Sequence, residues 1–129
     1  MGLWIIQEVS RNLAHQYSFA KLVEEARRDS FDGIFDVNDD RFLKPESMIL
    51  EIKSYFEERH QKAPQSVGEI AYCVYHSLAH CYKEAIEELE DITGKHFDTI
   101  NIIGGGCQNE LLNEMIAMVC KRKVVAGPI

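Results

Sequence analysis

A chain of 129 residues that is 46% hydrophobic and 27% charged has an ordinary globular balance, enough for one modest core. Its net charge of −7 argues against a nucleic-acid or anionic-membrane surface, either of which would need a basic patch. No apolar run approaches the ~18 residues of a membrane-spanning helix, and the first residues lack the basic start and small-residue cleavage site of a signal peptide. The cysteines Cys73, Cys81, Cys107 and Cys120 show no Cys-x-x-Cys spacing, so a cytoplasmic protein with reduced thiols is expected.

The chain opens with Leu3, Trp4, Ile6, Val9 and Leu13 at near helical spacing, in a helix with no cap residue before it, which suggests a cut. Gln7 falls on the face that such a helix gives to water. Ser18 can cap a second helix carrying Phe19, Leu22, Val23 and Ala26 on one side, ended by Asp29, Ser30 and Gly33. Ile34 to Val37 reads as a short extended piece, followed by the turn-prone Asn38-Asp39-Asp40-Arg41-Phe42. The acidic pair invites a metal, but local pairing with Arg41 and with loop N–H groups is the better reading. Pro45 sits where a third helix can start, with Glu46 in its first turn. Met48, Ile49, Ile52, Tyr55 and Phe56 form its apolar stripe, and its end is expected near His60.

Ser66-Val67-Gly68-Glu69 is a capping box that opens the longest helix, running to about Ile92 and stopped by Gly94. Ile70, Val74, Leu78, Cys81, Ala85 and Leu89 recur at helical spacing and predict its buried face. Cys73, His76 and His80 also share one side, yet a structural zinc needs four ligands and this row offers three.

Thr99 to Ile103 is β-branch-rich, of strand length, and cut by Gly104-Gly105-Gly106. Asn109 can cap the following helix, whose apolar row is Leu111, Leu112, Met115, Ile116 and Val119. Lys123 to Pro128 then reads as a second strand, so that strand, helix, strand implies a right-handed crossover and a parallel pair. Three glycines let a ligand approach backbone N–H groups, and the helix start adds a partial positive charge, which together make a nucleotide-shaped mouth. A plain tight turn would also use glycines. The dinucleotide pattern G-x-G-x-x-G fails because Asn109 stands where its third glycine belongs, and no Gly-Lys-Ser/Thr follows for a phosphate loop.

Met1 to Gln7 with its Gly-Leu-Trp, the Asn38 to Phe42 loop with Pro45, Ile103 to Asn109 with Leu111-Leu112-Asn113, and Val125 to Pro128 together resemble the carboxy-terminal half of FGGY-family sugar kinases. The likeness covers essentially the whole chain. The glycine segment indicates the broad family, whereas Gly-Leu-Trp and Asn-Asp-Asp-Arg-Phe narrow it to the kinases of rhamnulose. The resemblance implies an α/β, helix-rich fold, part of a ribonuclease-H-like (actin-like ATPase) domain, with ATP and sugar in a cleft between two domains. It implies phosphoryl transfer from ATP and Mg2+ to the 1-hydroxyl of L-rhamnulose.

By position Gln7 and Gly105 match family contacts to ATP, while Gly104, Gly106 and Asn109 fall in the loop beside the adenosine. The 129 residues are expected to form a single domain, helical over 1–95 with the strand–glycine loop–helix–strand unit over 98–127. In the family the catalytic aspartate, the first phosphate-binding hairpin and most sugar contacts lie upstream of the matched region, so this chain alone is expected to be inert. No metal ligand or catalytic residue is assigned to it.

Two other readings remain open. One is a non-catalytic actin-like or sugar-sensing module, and the other is a helical interaction module in which the glycines are merely a turn. The two predicted strands have one helix securely assigned to cover them, so a homodimer is expected as well.

Overall fold

A computed structural model describes residues 3–13, 19–43, 45–102 and 110–126. Its helices are α1 (Leu3–Asn12), α2 (Phe19–Arg28), α3 (Met48–Glu58), α4 (Val67–Thr93) and α5 (Glu110–Cys120). A 3-10 turn spans Asp40–Phe42, and two strands, β1 (Thr99–Ile102) and β2 (Lys123–Ala126), flank α5. The chain divides into two compact units, Met1–Ser77 and Leu78–Ile129.

In the first unit α1 packs on α2 and α3. Ile5 and Val9, one turn apart on α1, are fully buried, as are Leu22 and Ala26 of α2 and Met48, Ile52 and Phe56 of α3, each set at helical spacing. Between α2 and α3 the described residues form the 3-10 turn and no strand; aromatic side chains hold the segment in place. Phe35 lies 4.8 Å from Phe42, Phe31 meets Phe56 edge to face at 5.4 Å, and the Arg59 guanidinium sits 3.6 Å from the Tyr55 ring centre. The Phe35 N–H donates to Ser77 Oγ (3.0 Å) and the Cys73 thiol to the Gly33 carbonyl (3.6 Å), tying this segment to positions one turn apart on α4.

The expected start of the third helix is corrected. Ser47 is the N-cap of α3, accepting from Leu50 N at 3.4 Å, so Pro45 and Glu46 precede the helix and Glu51 is the acidic residue of its first turn. A partner remote in sequence fixes this start: Asn12 Oδ1, at the end of α1, accepts from Met48 N (2.7 Å) and Ile49 N (3.3 Å), satisfying two N–H groups that open a helix unpaired. α3 ends as expected, with His60 at φ +57° and Gln61 N donating to Phe56 O at 2.9 Å.

The capping box of α4 closes in both directions. Glu69 N donates to Ser66 Oγ (3.0 Å), while Glu69 Oε1 accepts from Ser66 N (3.2 Å) and Gln65 N (3.1 Å). These backbone donors, Ser66 first, hold the Glu69 carboxyl below its ordinary range. Gly94, at φ +68°, ends the helix where expected and donates to Glu90 O at 2.8 Å.

The predicted buried row of α4 is right for its first part and wrong for its second. Ile70, Val74 and Leu78 are buried, but Cys81 is half-buried, and Ala85 and Leu89 are exposed. From Ile70 to Ala79 the helix is enclosed on most sides because Ala71, Cys73, Ser77 and Ala79 are small enough to admit close neighbours.

The second unit contains the predicted strand–helix–strand. β1 and β2 are parallel, with Thr99 opposite Lys123, Ile100 opposite Val124, Asn101 opposite Val125 and Ile102 opposite Ala126. α5 packs on β2 and buries Leu111, Leu112, Met115, Ile116 and Cys120, while Val119 is half-buried. The helix-rich character and the small parallel sheet are therefore as the sequence predicts.

Candidate functional site

β1 ends at Ile102 and α5 begins at Glu110, so residues 103–109 join the carboxyl end of a parallel strand to the amino end of a helix. Open α/β units take their ligands at that end, where strand carbonyls stop and helix N–H groups begin. Gly104, Gly105, Gly106 and Asn109 all fall in this connection and lie outside the described residues, as does Ser18, the expected cap of α2. Gln7 is exposed on α1, whose buried side is made by Ile5, Ile6, Val9 and Ser10. The residue after Gln7, Glu8, pairs with Arg11, one turn further along the helix, at 2.6 Å.

Both strands are anchored by two residues that the sequence did not single out. Arg122 Nε donates to Phe97 O and Nη1 to Cys120 O, each at 2.8 Å, and Nη2 pairs with Glu90. Glu90 Oε2 in turn accepts from Phe97 N at 2.8 Å. One guanidinium thus joins the end of α4, the residues leading into β1 and the α5–β2 turn. His96 stands against the same cluster, with Nδ1 3.0 Å from Glu90 Oε2 and Nε2 3.0 Å from Asp98 Oδ1. In sequence Glu90 and Arg122 read as ordinary surface charges 32 positions apart, with no local pattern to link them.

The Phe97 N–H, then the positive charges of Arg122 and His96, hold the Glu90 carboxyl below its ordinary value of 4.5. A depressed folded-state value means that Glu90 contributes stability above the unfolded carboxyl range, and that this contribution is lost as pH falls through the folded value. Glu90→Gln is therefore expected to lower the urea midpoint at neutral pH, with a difference from the parent that shrinks on acidification below about 4.5. Urea melts across pH 3–7 check it, and a difference independent of pH would remove Glu90 from the anchor.

The other polar candidates serve structure. Asp39 caps the 3-10 turn by accepting from Arg41 N at 3.0 Å, and Arg41 makes two hydrogen bonds to Glu58, at 2.8 and 3.0 Å. Burial pushes the Cys73 thiol up to about 12, the opposite of what a thiolate ligand requires. Among the described residues no three His, Cys, Asp or Glu side chains stand together as one ion would need. No helix of the described residues is long and apolar enough to cross a membrane.

Residues 1–128 match the C-terminal domain of the FGGY family of carbohydrate kinases, and the chain belongs to that family. Similar proteins include the rhamnulokinase of Halalkalibacterium halodurans, 57% identical over 129 residues, which are all of this chain and 28% of that protein. The Bacillus subtilis rhamnulokinase is 46% identical over 130 residues, covering all of this chain and 27% of its own length. That of an Enterobacter species is 37% identical over 129 residues, covering all of this chain and 26% of its own. The chain thus spans little more than a quarter of the length of the curated relatives it matches.

Proposed function

We propose that these 129 residues are the ATP-binding part of the C-terminal domain of a longer kinase that transfers phosphate from ATP to the 1-hydroxyl of L-rhamnulose. The observation that carries the reading is the parallel β1–α5–β2 unit with its glycine-bearing connection, in a chain similar over its whole length to rhamnulokinases. On this reading the chain is a single piece of a ribonuclease-H-like, actin-like ATPase domain. The bare backbone of Gly104 to Gly106 lies against the nucleotide, and Gln7 and Asn109 offer it uncharged amides.

Mg2+ would travel with the phosphates of ATP. The described carboxylates form no site for it, and Asp39 is committed as a cap. Phosphoryl transfer needs metal, phosphate clamps and a positioned base together, so the 129 residues alone are expected to bind nucleotide weakly and turn over no sugar.

The test is Gly105→Val in the longer enzyme. A branched Cβ would intrude where backbone meets nucleotide, so KM for ATP is expected to rise by about ten-fold or more while KM for sugar changes little. Equal changes in both constants, in a variant of normal helicity, would remove Gly105 from the nucleotide site.

The same reading proposes self-association of the isolated chain. Among the described residues β1 and β2 pair only with each other, which leaves each an outer edge of backbone N–H and C=O groups. Light scattering coupled to size exclusion over a dilution series is expected to give a homodimer, and a monomer at every concentration would show those edges to be shielded.

A further inference from the structure

The residue pattern of β1 does not by itself set its register on β2. Thr99-Ile100-Asn101-Ile102 repeats a polar residue and an isoleucine with period two, so a slip of two along β2 returns isoleucine to the place of isoleucine. What separates the two registers is the distance from fixed points outside the strands. Glu90 stands in the last turn of α4, and only Gly94, Lys95 and His96 lie between that helix and Phe97. Because Glu90 Oε2 accepts from Phe97 N at 2.8 Å, it fixes how far past the helix the strand begins.

Arg122 makes the corresponding measurement from α5. It directly precedes β2, and its Nη1 holds the Cys120 carbonyl at the end of α5 while its Nε holds the Phe97 carbonyl, each at 2.8 Å. Phe97 is thus gripped at both its backbone groups, and the next bond between the two chain segments, Lys123 N to Asp98 O at 3.0 Å, follows directly. The Arg122 and Glu90 side chains are only 10% and 15% exposed, so their pairing is poorly screened and holds one geometry.

We infer that Arg122 and Glu90 are positioning residues for ATP: by gripping Phe97 they set the register of β1 on β2, and with it the level at which residues 103–109 meet the nucleotide. Phe97 precedes β1, whose four residues span about 13 Å, and the connection follows its far end, so the pair acts through the strand and not by contact. A slip of two residues would carry the end of β1 about 7 Å along β2, whereas a backbone N–H holds a nucleotide oxygen only within about 3.2 Å. The inference rests on reading that connection as the nucleotide site.

The test has two arms, both in the longer enzyme. In the first, register is read by oxidative cross-linking and mass spectrometry. Asn101→Cys with Val125→Cys, which are opposite one another, is expected to form a disulfide about ten-fold or more faster than Asn101→Cys with Lys123→Cys, which is two residues out of step. Adding Arg122→Gln should reduce that preference by about five-fold or more.

In the second arm, Arg122→Gln is expected to raise KM for ATP about ten-fold while KM for sugar changes by less than two-fold. Arg122→Lys keeps the pair with Glu90 but lacks the fork that reaches two carbonyls, so it should raise KM for ATP about three-fold, and it is the variant to read where Arg122→Gln does not fold. A merely structural role would lower the amount of active enzyme, giving a reduced apparent kcat with both KM values unchanged, and that result overturns the inference. So does a cross-linking preference that Arg122→Gln leaves intact. A normal KM for ATP in Arg122→Gln beside a raised one in Gly105→Val overturns the positioning role alone, whereas normal values in both overturn the nucleotide assignment and the inference with it.

Discussion

Phe56→Ala is expected to cost the first unit about 3–5 kcal/mol, a large share of the 5–15 kcal/mol typical of a whole domain. The Phe56 side chain is fully buried and meets three other rings edge to face: Phe31 at 5.4 Å, Tyr55 at 5.6 Å and Phe35 at 6.5 Å. It also closes over Gly33, where an added Cβ would lie 2.7 Å from its ring. Removing the ring leaves a cavity bordered by the stiff segment that Ser77 and Cys73 hold from α4, so collapse can be only partial. Phe56→Leu keeps most of the volume and is expected to cost about 1.5 kcal/mol or less. Urea denaturation followed by far-ultraviolet circular dichroism measures both. Equal costs for the two variants would mean that ring packing is not what holds this segment.

The second large effect is expected at Gly68, and there its sign is the informative part. Within a helix, alanine is ordinarily better than glycine by about 1 kcal/mol. At Gly68 an added Cβ would fall 2.1 Å from Asp29 Oδ2 and 2.5 Å from the Glu25 carbonyl oxygen, so the first turn of α4 touches the backbone of α2. The Asp29 side chain can turn away, at the loss of its 3.0 Å hydrogen bond from Ser66 Oγ, but the Glu25 carbonyl cannot move without α2. Overpacking of this kind costs about 1–3 kcal/mol and the lost hydrogen bond about 1 kcal/mol more, so Gly68→Ala is expected to destabilise by about 2 kcal/mol net. A stabilised variant in the same urea assay would show that α2 and α4 separate readily.

These two positions illustrate what a sequence carries. The Ser66–Glu69 box, the Gly94 stop and the strand–helix–strand order were legible because each is written within a few residues. The start of α3 was not, because the Asn12 amide that receives its first N–H groups comes from 36 positions away. The second half of α4 misled for a different reason. Periodicity shows which residues share a face but not whether anything covers that face, so Leu78 is buried and Leu89, on the same row, is exposed.

At the candidate site, Gln7 is on the exposed side of α1, where the spacing of its apolar neighbours placed it. The glycine connection was recognised by its composition and by the elements on either side of it. Glu90 and Arg122, which anchor those elements, were invisible because a salt bridge between distant residues leaves no period in the sequence.

The burial of Cys73 has a chemical consequence. With its thiol pushed up to about 12 by burial, Cys73 stays un-ionised at pH 7, and the thiolate is the form that oxidants and electrophiles attack. Cys120 is shifted the same way by burial. Alkylating reagents should therefore report unfolding rather than native reactivity at Cys73. Its labelling rate is governed by how often α4 parts from the Gly33 carbonyl, which makes an ordinary core cysteine a clock for the opening of the first unit.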